Sequence, residues 1–205
     1  YNIKRGYFIR SLNGNLYNLG IKNLTIRAGI QESYLGFVKE ANSSVIENVD
    51  ISKMNIIIDR QGTNNTNKVY IGLLASMTSR SDLSRISVND SSISKPSDYK
   101  GIIYGNYIGG IIGYASSSSI KNSYVYNLNV SNLKQDTEVH IPTFGGIVGY
   151  ASSSTISSCY SHGSIETGYR NVGGILGYNN GPYIMDKICE ALYSNNSRGI
   201  KARSI

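Results

Sequence analysis

Tryptophan is absent from this 205-residue sequence, and only three prolines and two cysteines occur in it. No stretch approaches the roughly 18 consecutive apolar residues of a membrane-spanning helix, so no span is expected. The opening residues, from Tyr1, hold no basic segment followed by an apolar run. No secretory leader is read there, and a piece of a larger protein is expected. Cys159 and Cys189 show neither a CxxC nor any other metal-ligand spacing. They are read either as a bridge in an exported protein or as two small buried thiols.

Charge is also scarce, at 16% of residues. That disfavours a cytosolic helical protein, in which Glu, Lys, Ala and Leu usually dominate. What is plentiful instead is Asn, Ser, Gly, Tyr and Ile, a composition of low helix propensity that points to strands in an extracellular protein. The net charge of +7 and pI of about 9.3 raise the question of nucleic acid. The basic residues are scattered singly, as at Lys22, Lys39, Lys53, Lys68, Lys121 and Lys134. They cluster only at Lys4-Arg5 and at Arg198, Lys201 and Arg203. Phosphate-binding proteins gather such charge on one face, so no nucleic-acid partner is expected. A solvated basic surface is the plain reading, with weak attraction to anionic glycans or cell walls beside it.

An internal repeat organises the chain. "GGIIGYASSSSI" at 109–120 returns as "GGIVGYASSSTI" at 145–156 and as "GGILGYNNGPYI" at 173–184. With the second glycine as origin, an aliphatic residue follows ten later: Ile120 after Gly110, Ile156 after Gly146, Ile184 after Gly174. Weaker copies run from Gly6 to Leu16, from Gly36 to Ile46 and, one residue longer, from Gly72 to Leu83. The six origins are 30, 36, 38, 36 and 28 residues apart. A constant segment with loops of free length explains this variation, because loop length costs little free energy.

Each unit reads as a strand ("GGIIGY"), a corner ("ASSSS") and a second strand ("IKNSYVYNLNVS"). The second strand alternates apolar and polar residues, as in Val49-Asp50-Ile51-Ser52, Ile86-Ser87-Val88-Asn89 and Leu128-Asn129-Val130-Ser131, which buries one face. A unit this small cannot bury that face alone, but stacked copies can. The expected fold is therefore all-β: one β-solenoid domain over 1–205 of about six coils, like a right-handed parallel β-helix.

Stacking would place Ile111, Ile147 and Ile175 in one aliphatic column and Tyr114, Tyr150 and Tyr178 in an aromatic one. Gly113, Gly149 and Gly177 recur inside a strand, where a bulge, a left-handed backbone or close approach of the next coil would each require glycine. The serine corners are read as local hydroxyl–backbone bonds, so Ser118→Ala is expected to be mild. Loops are expected near 60–68, 95–106 and 132–143. Residues 185–205 depart from the repeat and read as an atypical cap or short helix.

"GGIIGYASSSSIKNSYVYNLNVS" and "GGIVGYASSSTISSCYSHGSIE" resemble the GLUG repeat, with Cys159-Tyr160 matching its Cys-Tyr ending and Ser123-Tyr124 replacing the cysteine. The array is also similar to N-terminal regions of the immunoglobulin A protease-like zinc metallopeptidases of Gram-positive cell walls, and to bacterial surface adhesins. That resemblance implies a non-catalytic module of a secreted, cell-surface zinc metallopeptidase, acting as spacer or substrate-positioning domain. The alternatives are an adhesin stalk that binds a host ligand itself, and a polysaccharide-active β-helix enzyme. The implied partner is a host glycoprotein, such as an immunoglobulin, or a surface glycan; a monomer is expected.

The residues do not supply that family's chemistry. Its HExxH site needs two histidines one helical turn apart. His140 and His162 stand in "EVHIPT" and "SHGSI", neither followed by glutamate. No catalytic, cofactor-binding or metal-ligating residue is assigned, and zinc is expected only in the parent enzyme. A glycan-cleaving site would need carboxylates gathered on adjacent coils. From their origins Asp50 lies 14, Asp90 18 and Asp186 12 residues on; only Asp98 and Asp136 share a position, at 26, within expected loops. The glycine-rich segments lack the Lys-Ser/Thr of a phosphate loop, the chain has no Gly-x-Ser-x-Gly elbow, and its turns lack the Asp of a calcium-binding nonapeptide.

Overall fold

A computed structural model describes residues 2–3, 5–27, 32–58, 68–96, 106–133, 143–167, 171–181 and 190–194. Within them every regular element is a strand and every strand pairing is parallel. The strands form sheets of 12 and 10 members, and neighbours in a sheet come from successive repeats. The fold is all-β and solenoid-like. One ladder contains Tyr7–Leu12, Tyr34–Asn42, Ala75–Ser79, Ile112–Ser116, Val148–Ser152 and Leu176–Asn180, each paired with the next.

Parallel in-register pairing puts like residues in columns. Tyr114 pairs with Tyr150 and Tyr150 with Tyr178. The Ile111 amide donates to the Ile147 carbonyl at 3.0 Å, and the Ile147 amide to the Ile175 carbonyl at 2.9 Å. All three isoleucines are buried. The aliphatic residue that closes each of the first five units forms another core column, Leu16, Ile46, Leu83, Ile120 and Ile156, while Ile184 lies outside the described residues. The alternating segments behave as their pattern requires, with Val49, Ile51, Ile86, Val88, Leu128 and Val130 all buried. Each such aliphatic side chain contributes about 1.5–3 kcal/mol of burial.

Register corrects the repeat origin. Gly72 pairs with Gly109, Gly109 with Gly145 and Gly145 with Gly173, so the first glycine of each pair is the equivalent one. The Gly72 unit is then ordinary, and the Gly36 unit is the one shorter by a residue. At the start, Tyr7 rather than Gly6 pairs with Gly36. Nor is "GGIIGY" one strand. It ends one strand (Asn106–Gly109), turns at Gly110-Ile111 and begins another (Ile112–Ser116).

This hook presses the two strands together, and the glycines are where they touch. A Cβ on Gly149 would stand 2.6 Å from the Ile108 nitrogen and 2.7 Å from the Gly113 oxygen. One on Gly113 would stand 2.6 Å from the Ile71 nitrogen. Neither glycine has a left-handed backbone, so close approach of backbone to backbone is what selects glycine there.

The left-handed residues are others, and they make the corners. Among the described residues, thirteen that are not glycine have φ between 48 and 57°. They fall into three columns. Ser43, Arg80, Ser117 and Ser153 form one; Asn18, Asn48, Arg85, Asn122 and Ser158 the second; Asn23, Lys53, Asp90 and Asn127 the third. The expected second strand is consequently bent at Asn122 and Asn127.

The residue after a left-handed corner turns inward. After the first column this residue is always serine: Ser44, Ser81, Ser118 and Ser154, each buried. Each hydroxyl donates to the carbonyl two residues back, at 2.9–3.0 Å. Each of the last three also accepts an amide from the neighbouring repeat: Ser44 N–H to Ser81 Oγ at 3.1 Å, Ser81 N–H to Ser118 Oγ at 3.3 Å and Ser118 N–H to Ser154 Oγ at 3.1 Å. Ser123 and Cys159 share the equivalent site of the second column. Ser123 Oγ bonds Lys121 O at 2.8 Å and Cys159 Sγ bonds Ser157 O at 3.2 Å.

This corrects the expectation of a mild Ser118→Ala. The methyl leaves the buried Ser81 amide without its acceptor, and the loss should be about 1–3 kcal/mol. Urea unfolding of the variant measures it; a midpoint equal to wild type would remove the serine column from the account of stability.

Several expectations fall outside the described residues: most of the three loops, Cys189 and most of 185–205. Within the last, Glu190–Ser194 is a strand parallel to Tyr160–Ser164, not a helix.

Candidate functional site

Outward-facing positions also stack in columns, and two chemistries result. The amide and hydroxyl columns bond to themselves. Asn48 Nδ2 donates to Asn18 Oδ1 at 2.6 Å, Asn127 Nδ2 to Asp90 Oδ1 at 2.8 Å, and Ser92 Oγ to Asn55 Oδ1 at 2.7 Å. Such groups have spent much of their bonding capacity within the protein.

The tyrosines differ. The hook brings the strands before and after it side by side, so their outward columns merge into one strip. Tyr34 opens the continuous strand Tyr34–Asn42, and Tyr70 and Tyr107 come from the strands before the hook that stack on it; Tyr114, Tyr150 and Tyr178 come from those after the hook. Ring contacts run unbroken through the strip. Tyr34–Tyr70 lie 5.3 Å apart between centroids, Tyr70–Tyr107 5.5 Å, Tyr107–Tyr150 4.5 Å, Tyr114–Tyr150 5.3 Å and Tyr150–Tyr178 5.2 Å. Most are near-parallel offset stacks, each worth about 0.5–1.5 kcal/mol beyond burial. The sequence pattern gave the Tyr114 column; it gave no sign that Tyr70 and Tyr107 would join it.

Cations edge the strip. Lys39 Nζ lies 4.5 Å from the Tyr34 centroid and also pairs with Glu40 at 3.1 Å. Lys68 Nζ lies 5.5 Å from the Tyr107 centroid. Its ammonium bonds the Tyr107 hydroxyl, which raises the lysine pKa above its ordinary value. Tyr70 and Tyr150 are also raised, in both cases chiefly by burial of the phenol, while a bond from Asn180 works the other way at Tyr150.

A raised tyrosine pKa means the fold favours the neutral phenol. That stability is complete below the unfolded value of 10.0 and is lost as pH rises above it. Lys68 loses its contribution in the same direction, above 10.5. A late fraction of the tyrosinate absorbance, from Tyr70 and Tyr150, is therefore expected to develop above pH 10 together with loss of the β circular dichroism signal. Absence of that late fraction would contradict the burial of Tyr70 and Tyr150.

The titratable residues singled out from sequence do not converge. Asp50 accepts from Ser87 Oγ and, at 3.3 Å, from Asn89 Nδ2; Asp90 stands in a different column. His162 stacks on Tyr126 at 5.0 Å, its Nδ1 buried without a hydrogen-bond partner among the described residues. His140, Asp98, Asp136 and Asp186 lie outside the described residues, as do Lys4, Arg198, Lys201 and Arg203. Among the described residues no three His, Cys, Asp or Glu side chains are grouped to hold a metal ion. Nor is any helix there long and apolar enough to cross a membrane.

A family model described as the GLUG motif matches residues 104–131. These residues include the hook, the Ser117-Ser118 corner and the bends at Asn122 and Asn127. No curated protein matches the chain.

Proposed function

We propose that this chain is a non-catalytic β-solenoid module of about six right-handed coils in a secreted, cell-surface protein. Its role there is to act as a rigid spacer that also positions a partner. The unbroken in-register ladder from Tyr7–Leu12 to Leu176–Asn180 carries this reading. Successive strands advance about 4.7–4.9 Å, so the module extends with each repeat without adding hinges. The right hand follows the general preference of parallel crossover connections. The GLUG match supports a β-helical repeat module.

For the parent we propose a zinc metallopeptidase similar to the immunoglobulin A protease-like family, with its zinc site outside this segment. The resemblance of the repeats supports that assignment. An adhesin stalk is the second reading, favoured by the tyrosine strip.

The intact protein separates the two. If the parent is such a peptidase, it contains an HExxH segment and loses activity on zinc chelation. Removing residues 1–205 then lowers cleavage of a whole immunoglobulin while sparing a short peptide substrate. An intact gene without HExxH sinks the peptidase parent and leaves the adhesin. Cleavage of protein or glycan by the excised chain sinks the non-catalytic role.

A further inference from the structure

We infer that the tyrosine strip is a binding site for a linear acidic glycan, one carrying uronate carboxylates, lying along the stacking direction. The inference rests on this surface and not on which parent protein carries it.

Most ring faces within the strip are turned to neighbouring rings, at 4.5–5.5 Å along the contact chain. What remains for a ligand is ring edges and phenol hydroxyls, repeated from one strand to the next. The bonds made by these groups show that they reach the polar side. The Tyr107 hydroxyl meets Lys68, which is exposed, and the Tyr150 hydroxyl meets Asn180, also exposed. Such a surface gives little to an apolar protein segment, which would have to desolvate phenols, an amide and an ammonium without replacing their bonds. A polyhydroxylated chain replaces those bonds one for one.

The repeat matters as well. Groups spaced by one strand separation, about 4.7–4.9 Å, suit an extended polymer whose own units recur at a similar interval. Charge selects the acidic kind. Lys68 is an exposed ammonium beside the closest ring pair, Tyr107–Tyr150, with donors left beyond its bond to the Tyr107 hydroxyl, and Lys39 lies at the Tyr34 end of the strip. Arg10 is exposed and stands in the Lys39 column on the neighbouring strand. Glu40 is the carboxylate beside Lys39 and is paired with it. A carboxylate on Lys68, with adjoining sugar hydroxyls on Tyr107, Tyr150 and Asn180, satisfies each group without leaving a charge uncompensated.

The test is titration calorimetry of the full chain at low salt with hyaluronan oligosaccharides long enough to span the strip, against neutral cello-oligosaccharides of equal length. Saturable hyaluronan binding is expected, weakening with added salt. Tyr107→Phe with Tyr150→Phe keeps the rings and removes two hydroxyls; about tenfold weaker binding is expected with circular dichroism unchanged. Lys68→Met should weaken binding by a similar factor and flatten its salt dependence. Equal affinity for the neutral glycan, no saturable binding, or variants that bind like wild type would overturn the assignment. Immunoglobulin captured through the same tyrosines, without glycan binding, would overturn it in favour of a protein partner and leave the spacer reading standing.

Discussion

Gly149→Ala, a change of one methyl group, is expected to lower stability by at least about 3 kcal/mol, the upper range for overpacking a well-packed interior. The added carbon would stand 2.6 Å from Ile108 N, 2.7 Å from Gly113 O and 2.8 Å from Ile108 C. All three are backbone atoms of strands pinned by parallel ladders, so no flexible side chain can swing aside. Relief requires prising open the hook, which also separates the tyrosines before it from those after it. The variant should therefore lose both melting temperature, by roughly 2–4 °C per kcal/mol at this chain length, and near-ultraviolet tyrosine dichroism. Gly20→Ala is the control: its Cβ would meet nothing within 4 Å, and its backbone is not left-handed. It should stay within about 0.5 kcal/mol of wild type. Similar melting for the two variants would mean that the hook is looser than described.

Ile147→Asp is expected to abolish folding. Ile147 has 0% exposure and sits between Ile111 and Ile175, bonded to each through the main chain. A carboxylate there would face only aliphatic neighbours in its column. It would have to remain protonated or carry an unpaired charge, several kcal/mol against a typical domain stability of about 5–15 kcal/mol. The milder Ile147→Ala keeps the test readable, with an expected loss of about 2–5 kcal/mol. Because each repeat touches only its neighbours, the damage should begin in the repeats on either side and spread outward. Hydrogen exchange would show this as early loss of protection at Ile111 and Ile175 relative to Ile46. Wild-type melting of Ile147→Asp would show that this side chain does not point inward.

Much of this architecture was legible in the repeated text. Alternation assigned Val49, Ile51, Ile86 and Val88 to the core, because strand geometry leaves a period-two pattern a single face to bury. Recurrence of "GGI" and of Tyr114, Tyr150 and Tyr178 predicted columns, because identical units stacked in parallel bring like residues together. Cys159 and Ser123 could be recognised as equivalents from the tyrosine that follows each. Local spacing determines all of these, and local spacing is written in the chain.

What lay beyond it depends on which backbones meet across repeats. The hook at Gly110-Ile111 is invisible in "GGIIGY", since nothing local distinguishes a continuous strand from two strands folded against each other. The corner role of Arg80, Arg85 and Lys53 was likewise hidden, because their left-handed backbones are imposed by the registers around them rather than preferred by those residues. Ser118 looked dispensable until its hydroxyl proved to hold an amide from the repeat before it. The strip uniting Tyr34, Tyr70 and Tyr107 with Tyr114, Tyr150 and Tyr178 arises only when the hook closes. Contacts between residues distant in sequence but adjacent in the stack are properties of the assembled ladder, and no segment of the chain contains them alone.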